Sequence, residues 1–169
     1  MNGSQSAAYV RQVRKSCRRA SALLAQIEAG RLKTVLPKVR RVWIETELPS
    51  RCVDAWQGIW DAVGASPARL LVMTANDRRG YARLPDSLTV YRGATVGGER
   101  GWSWTLERSI AEDFAKRYEL DGPHPPLICT AEIAKGDVLA YFEIGGEHEL
   151  IVDPHELDWR SVLVEPLTV

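Results

Sequence analysis

The stretch "VYRGATVGGERGWSWT" occupies residues 90–105. Arg92 follows two β-formers, Val90 and Tyr91, and precedes Gly93. Ser103 stands between Trp102 and Trp104, and Gly93, Gly97, Gly98 and Gly101 lie between the arginine and the serine. The pattern predicts a strand, a glycine-rich turn and a second short strand. Alternation along that second strand turns the Ser103 hydroxyl away from the two indoles, and Thr105 is read with the tryptophans. A buried hydroxyl needs a partner, and a nearby glutamate is a good one. Arg92, at a strand end, carries a guanidinium shaped to fork onto a phosphate or carboxylate; the alternative is an ordinary ion pair within the sheet.

Working outward, the chain changes character at about residue 85. After it come β-rich runs: "SLTVYRG", "WSWT", "PLICTAEI", "DVLAYFEI", "HELIVD" and "SVLVEPL". One helix, "LERSIAEDFAKRY", falls between the second and third, with Thr105 as its cap and Ile110, Phe114 and Ala115 facing inward. "DGPHPP" (121–126) reads as a surface loop. Before residue 85 the chain reads as helices. Residues 4–29 repeat apolar side chains at three- and four-residue steps, with Ser4 as a cap and Gly30 as the stop. A second helix covers about 31–44, with Pro37 as a break or first-turn residue. "SRCVDAWQGIWDAVG" is a third, capped by Ser50 and striped by Val53, Trp56, Trp60 and Val63. "SPARLLVMTAND" is a fourth, with Ser66 as cap and Pro67 at its first position. Helices first and strands later predict an α+β fold: a helical region over 1–84 and a mainly antiparallel β core over 85–169.

The 169 residues, 45% apolar and 26% charged, have an ordinary globular composition. No apolar run approaches the ~20 residues of a membrane span, and no signal peptide is visible. Three widely spaced cysteines without a CxxC argue against a disulfide framework or zinc site, so a reducing, cytoplasmic location is expected. The zero net charge hides an asymmetry. Residues 1–41 hold ten Lys or Arg and one acid, and the remainder holds twelve Lys or Arg and 21 acids. A basic arm on an acidic body is read either as a solvated helix face or as a contact for nucleic acid or another acidic partner.

In "GGEHELIV" (145–152), Glu147 and Glu149 stand two apart at the start of a strand. Period two puts both carboxylates on one face, with His148 and Leu150 on the other. Such a pair suits acid/base work; the alternative is a solvated strand end. The glycines of "GATVGGERG" match neither GxGxxG nor a P-loop. His124, His148 and His155 lack metal-ligand spacing, so no metal is expected. There is no GxSxG elbow.

The order "YRG", "SWT", a helix with "DFA", then "EHE" resembles the ADP-ribosyltransferase superfamily, in its Arg-Ser-Glu branch. The likeness covers about residues 85–169 and is nearest to small phage or bacterial members. It implies a split-sheet fold of that type and a mono-ADP-ribosyltransferase that uses NAD as co-substrate, releases nicotinamide and modifies a macromolecular acceptor. Glu at position 147 goes with an arginine acceptor in that family. The alternatives are an NAD glycohydrolase or a catalytically inactive nucleic-acid- or partner-binding module on the same fold. By resemblance, Arg92 binds the NAD phosphates or adenosine ribose, and Gly93 lets the backbone reach the nicotinamide amide. Ser103 orients Glu149 and helps hold the nicotinamide ribose. Glu149 stabilises the charge that forms as nicotinamide leaves, and Glu147 orients or deprotonates the acceptor. Thr105 matches the last position of the family's Ser-Thr-Ser motif and joins the cofactor-binding set. Tyr91, Phe142 and Trp102 or Trp104 are the candidates for stacking on the nicotinamide. The middle motif departs from Ser-Thr-Ser in reading Ser-Trp-Thr, and "YFEIGG" leaves only a short loop before the glutamates.

Overall fold

Glycine ends the first helix by a specific geometry. α1 runs Gly3–Glu28, and Gly30 adopts φ +77°, a left-handed conformation that a side chain would resist. Gly30 N–H donates to Ile27 O and Arg31 N–H to Gln26 O, which satisfies the last carbonyls of the helix. The computed structural model describes residues 3–46, 48–119 and 124–167, with side chains over 10–46, 48–117 and 124–167. The side chain of Ser4, expected as a cap, and residues 121–123 of the expected loop lie outside the described residues.

The chain divides into two compact units, Met1–Met73 and Thr74–Val169. In the first, α1 packs with α2 (Leu32–Ile44) and α3 (Val53–Gly64). α2 continues through Pro37, which is exposed, and buries Val35, Leu36, Val39, Val42 and Trp43 on its other side. Three indoles make the centre. Trp43 meets Trp56 and Trp60 edge-on, at ring centroids of 4.8 and 5.3 Å, and Trp56 stacks on Trp60 at 6.0 Å. Edge-to-face contacts suit the ring quadrupoles and add to the area buried.

Three expectations need correction here. Val53 is 46% exposed, because α3 starts at that residue out of a 3₁₀ turn, Pro49–Cys52; Ser50 lies inside the turn and caps nothing. The fourth helix expected over 66–77 is a 3₁₀ turn, Arg69–Val72, followed by a separate helix, α4 (Ala75–Arg83). Thr74 caps α4, accepting from Asp77 N–H while Asp77 accepts from Thr74 N–H, and α4 falls in the unit Thr74–Val169. Cys17 and Cys52 form a disulfide, with Cα atoms 5.2 Å apart across 35 residues. Helix packing brings the two together, and spacing along the chain could not reveal it. The inference from cysteine spacing to a reducing compartment loses its ground.

The second unit is α+β as expected. Its strands are β1 (Ser87–Thr95), β2 (Ser103–Thr105), β3 (Pro126–Ala134), β4 (Val138–Ile144), β5 (Glu147–Val152) and β6 (Leu163–Pro166). They form one antiparallel sheet in the order β4-β5-β2-β1-β3-β6. α5 (Arg108–Glu119) follows β2 and lies on β1 and β3. α4 packs on β4, where buried Asp77 also accepts from Glu143 N–H at 3.0 Å. Among the described residues no helix is long and apolar enough to cross a membrane.

Breaking the Cys17–Cys52 link tests the architecture of the first unit. Cys17→Ser/Cys52→Ser should lower its stability by about 2–4 kcal/mol, read from tryptophan fluorescence in urea. Thiol titration of the unfolded, unreduced wild type should find only Cys129. Three titratable thiols and an unchanged urea midpoint would show that the link does not form.

Candidate functional site

A two-residue turn sets the register of the site. Gly145 and Gly146 have φ +57° and +87°, the two positive values that a tight hairpin of matching twist requires. The turn pairs Ile144 with Glu147 and therefore Phe142 with Glu149. On its other side Glu149 pairs with Thr105, and Ile151 pairs with Ser103. Alternation then places Glu147, Glu149, Ser103, Thr105 and Phe142 on one face. Thr105 shares the face of Ser103, two residues away on one strand, and not that of the tryptophans.

Ser103 Oγ donates to Glu149 Oε1 at 2.7 Å. The serine lies diagonally across from the glutamate, within reach of a long side chain. Both are half-buried. Glu147 is half-buried on the same face, and its carboxylate makes no hydrogen bond or ion pair among the described residues. One carboxylate is thus oriented and its neighbour is free.

Arg92 joins this group through the backbone. β1 and β2 share a single registered pair, Tyr91 with Thr105, and then part. Arg92 reaches into the opening. Its Nη1 donates to Ser103 O at 2.9 Å, its Nε to Glu99 O at 2.9 Å and its Nη2 to Gly98 O at 3.1 Å. A Cβ on Gly101 would run into the same guanidinium, so a larger residue there would displace it. Hydrogen bonds with a charged partner are the stronger kind. The arginine therefore binds the loop and the carbonyl of the residue whose side chain holds Glu149.

Several expected ligand contacts have other occupations. α5 lies so close to β1 that a Cβ on Gly93 would collide with Ala111 O and come within 2.6 Å of Ala115 N; the glycine admits the helix. Thr105 is 6% exposed, and its Oγ1 accepts from Glu107 N–H at 3.2 Å at the start of α5. Phe142 is fully buried in the core. Tyr91 is half-buried and packs against Ala111, Ala115 and Ile128. Trp102 and Trp104 are buried, and Trp104 Nε1 donates to Gly101 O at 3.1 Å. These rings are structural, as large aromatics in a small sheet usually are.

Two other groups nearby are not placed for this chemistry. Cys129, paired with Arg92 across β1 and β3, is fully buried, and burial pushes its thiol up to about 11, outweighing the pull of the Arg92 charge. It stays protonated and is no nucleophile at neutral pH. On the opposite face, burial raises the Tyr141 hydroxyl, helped by Glu143 and Asp77, and it meets His148 Nδ1 at 2.6 Å. No cluster of three or more His, Cys, Asp or Glu suited to a metal ion occurs among the described residues.

Sequence reasoning missed the loop carbonyls of Gly98 and Glu99 as the partners of Arg92, and missed Gly145–Gly146 as the register device. The signal for the second was present, since paired glycines between alternating runs mark a two-residue hairpin. Comparison with protein families, with curated proteins and with solved structures finds no match to this chain.

Arg92→Lys keeps the charge and loses the fork. It should destabilise the second unit by about 1.5–3 kcal/mol and speed amide exchange across residues 98–103. Unchanged protection in that loop would mean that the guanidinium contacts do not hold it.

Proposed function

We propose that this chain is an NAD-dependent mono-ADP-ribosyltransferase whose working carboxylate is Glu149. The observation that carries the reading is the Ser103–Glu149 hydrogen bond at 2.7 Å, on the same face as a free Glu147 and beside a serine whose carbonyl is held by Arg92. These residues suit the ribose at the nicotinamide end of the dinucleotide. The aromatic candidates do not add to that fit, because their rings are buried.

Bound NAD supplies a glycosidic bond whose cleavage leaves positive charge on the ribose. Glu149, fixed by Ser103, offers a carboxylate to a ribose hydroxyl and to that charge. An anion oriented before the reaction favours the transition state over the ground state, where the charge has not yet formed. Glu147 has no competing partner and takes the proton of the attacking acceptor group. Arg92 acts by holding the loop and the Ser103 backbone, and it adds positive charge near the dinucleotide phosphates. The acceptor is a macromolecule, and an arginine side chain fits the Glu-x-Glu resemblance.

The test is lysate incubated with the full chain and NAD labelled in its adenylate half, with nicotinamide release followed in parallel. Glu149→Gln can still accept from Ser103, so the fold is kept while the charge is lost; release should fall by about 10²–10³. Glu147→Gln should spare slow NAD consumption and abolish labelling of the acceptor. Free labelled ADP-ribose without a labelled macromolecule would make water the acceptor. Equal consumption by wild type and Glu149→Gln would overturn the reading.

A further inference from the structure

The cations of α1 are arranged in a way that folding alone does not explain. Arg11, Arg14, Lys15 and Arg18 are spaced i, i+3, i+4 and i+7, so they form one stripe. All four are exposed, and none has a hydrogen bond or ion pair among the described residues. Arg19, one step round the helix, differs: its Nη1 pairs with Glu45 at 2.6 Å. The buried side of the helix is Ser16, Ala20 and Leu23. At about 100° per residue the stripe is centred on the opposite side, facing away from the core. The four cations also line an open groove with Val10. Within the stripe, 11/15 and 14/18 are like-charged i,i+4 pairs, and 11/14 and 15/18 are like-charged i,i+3 pairs. Each works against the helix that carries it.

We infer that this stripe is a docking surface for the phosphate backbone of nucleic acid, bound without regard to sequence. Charge complementarity carries the choice. Four unpaired cations spread over about 10 Å of helix meet a polyanion that carries one charge per about 1.7 Å of duplex axis. Three of the four are guanidiniums, which fork onto phosphate oxygens. A lipid surface fits less well, because Val10 is the only large exposed apolar side chain among the described residues of α1 and an interfacial helix needs an apolar face to bury. The acidic remainder of a second copy offers carboxylates already engaged in part, as Glu45, Glu112 and Glu165 are by arginines.

The experiment measures anisotropy of a labelled mixed-sequence 20-base-pair duplex, and of a single-stranded RNA of equal length, with the full chain in 50–200 mM KCl. Four released counterions give a log–log salt slope of about −3.6 on duplex and about −2.8 on a single strand, so duplex affinity should fall about 150-fold over that range. The variant Arg11→Gln/Arg14→Gln/Lys15→Gln/Arg18→Gln should lose the binding and its slope. It removes only repulsion from the helix, so circular dichroism and the melting temperature should show it at least as stable. A charge-matched variant, Lys33→Gln/Lys38→Gln/Arg83→Gln/Arg160→Gln, should keep most of the affinity. No binding at 50 mM, equal weakening by both variants, tighter binding to vesicles of anionic lipid, or self-association lost with the stripe would each overturn the inference.

Discussion

The guanidinium of Arg92 sits where β1 and β2 part, and the local structure is arranged around it. Antiparallel strands normally satisfy their carbonyls by pairing, and here the pairing stops after Tyr91 and Thr105. The carbonyls of Gly98, Glu99 and Ser103 would otherwise lie at an unpaired opening; the arginine supplies their donors. The glycines follow from this. Gly97 takes φ +87° in the turn closed by Gly98 N–H on Thr95 O, and Gly101 leaves room for the guanidinium. With its backbone fixed, Ser103 has one short path for its hydroxyl, and Glu149 lies at the end of it.

Register is the second constraint, and it is set from the other side of the site. Because side chains alternate with period two, a slip of one residue in β5 would carry Glu149 from the face of Ser103 to the face of Tyr141. The Gly145–Gly146 turn prevents this by fixing Ile144 opposite Glu147. β5 is also held between β4 and β2, so its register is specified twice. The carboxylate and its serine partner thus arise from two independent devices, a loop wrapped on a guanidinium and a glycine hairpin.

The β-rich half was legible because its signals are local. Short apolar runs bounded by turn residues placed all six strands, and the 145–152 pattern put Glu147 and Glu149 on one face. In two places where the sequence misled, the deciding interaction was distant along the chain. The Cys17–Cys52 link depends on packing between elements 35 residues apart. Gly93 offers no hint that it faces the α5 backbone. The helix expected over 66–77 failed for a local reason, since the Thr74–Asp77 capping box starts a new helix at that point. The pairing of Ser103 with a glutamate was foreseeable as chemistry, and its geometry needed the register of three strands.

Position 149 is where the sequence departs from what folding asks of it. Glu149 stands in a central strand beside Ile151 and opposite Phe142, both fully buried. An apolar or β-branched residue there would extend that core, and two like charges two residues apart on one face repel. The Ser103 hydrogen bond offsets part of the desolvation of the carboxylate, and the Glu147 carboxylate on the same face still repels it. The neighbouring groups have structural roles: Thr105 Oγ1 accepts from Glu107 N–H in the turn before α5 and does not cap the helix, Arg92 closes the loop and Gly93 admits the helix. An unfavourable local choice surrounded by favourable ones is expected at a site kept for its chemistry. That contrast, more than any single distance, is why the acid pair bears the functional reading and the arginine supports it.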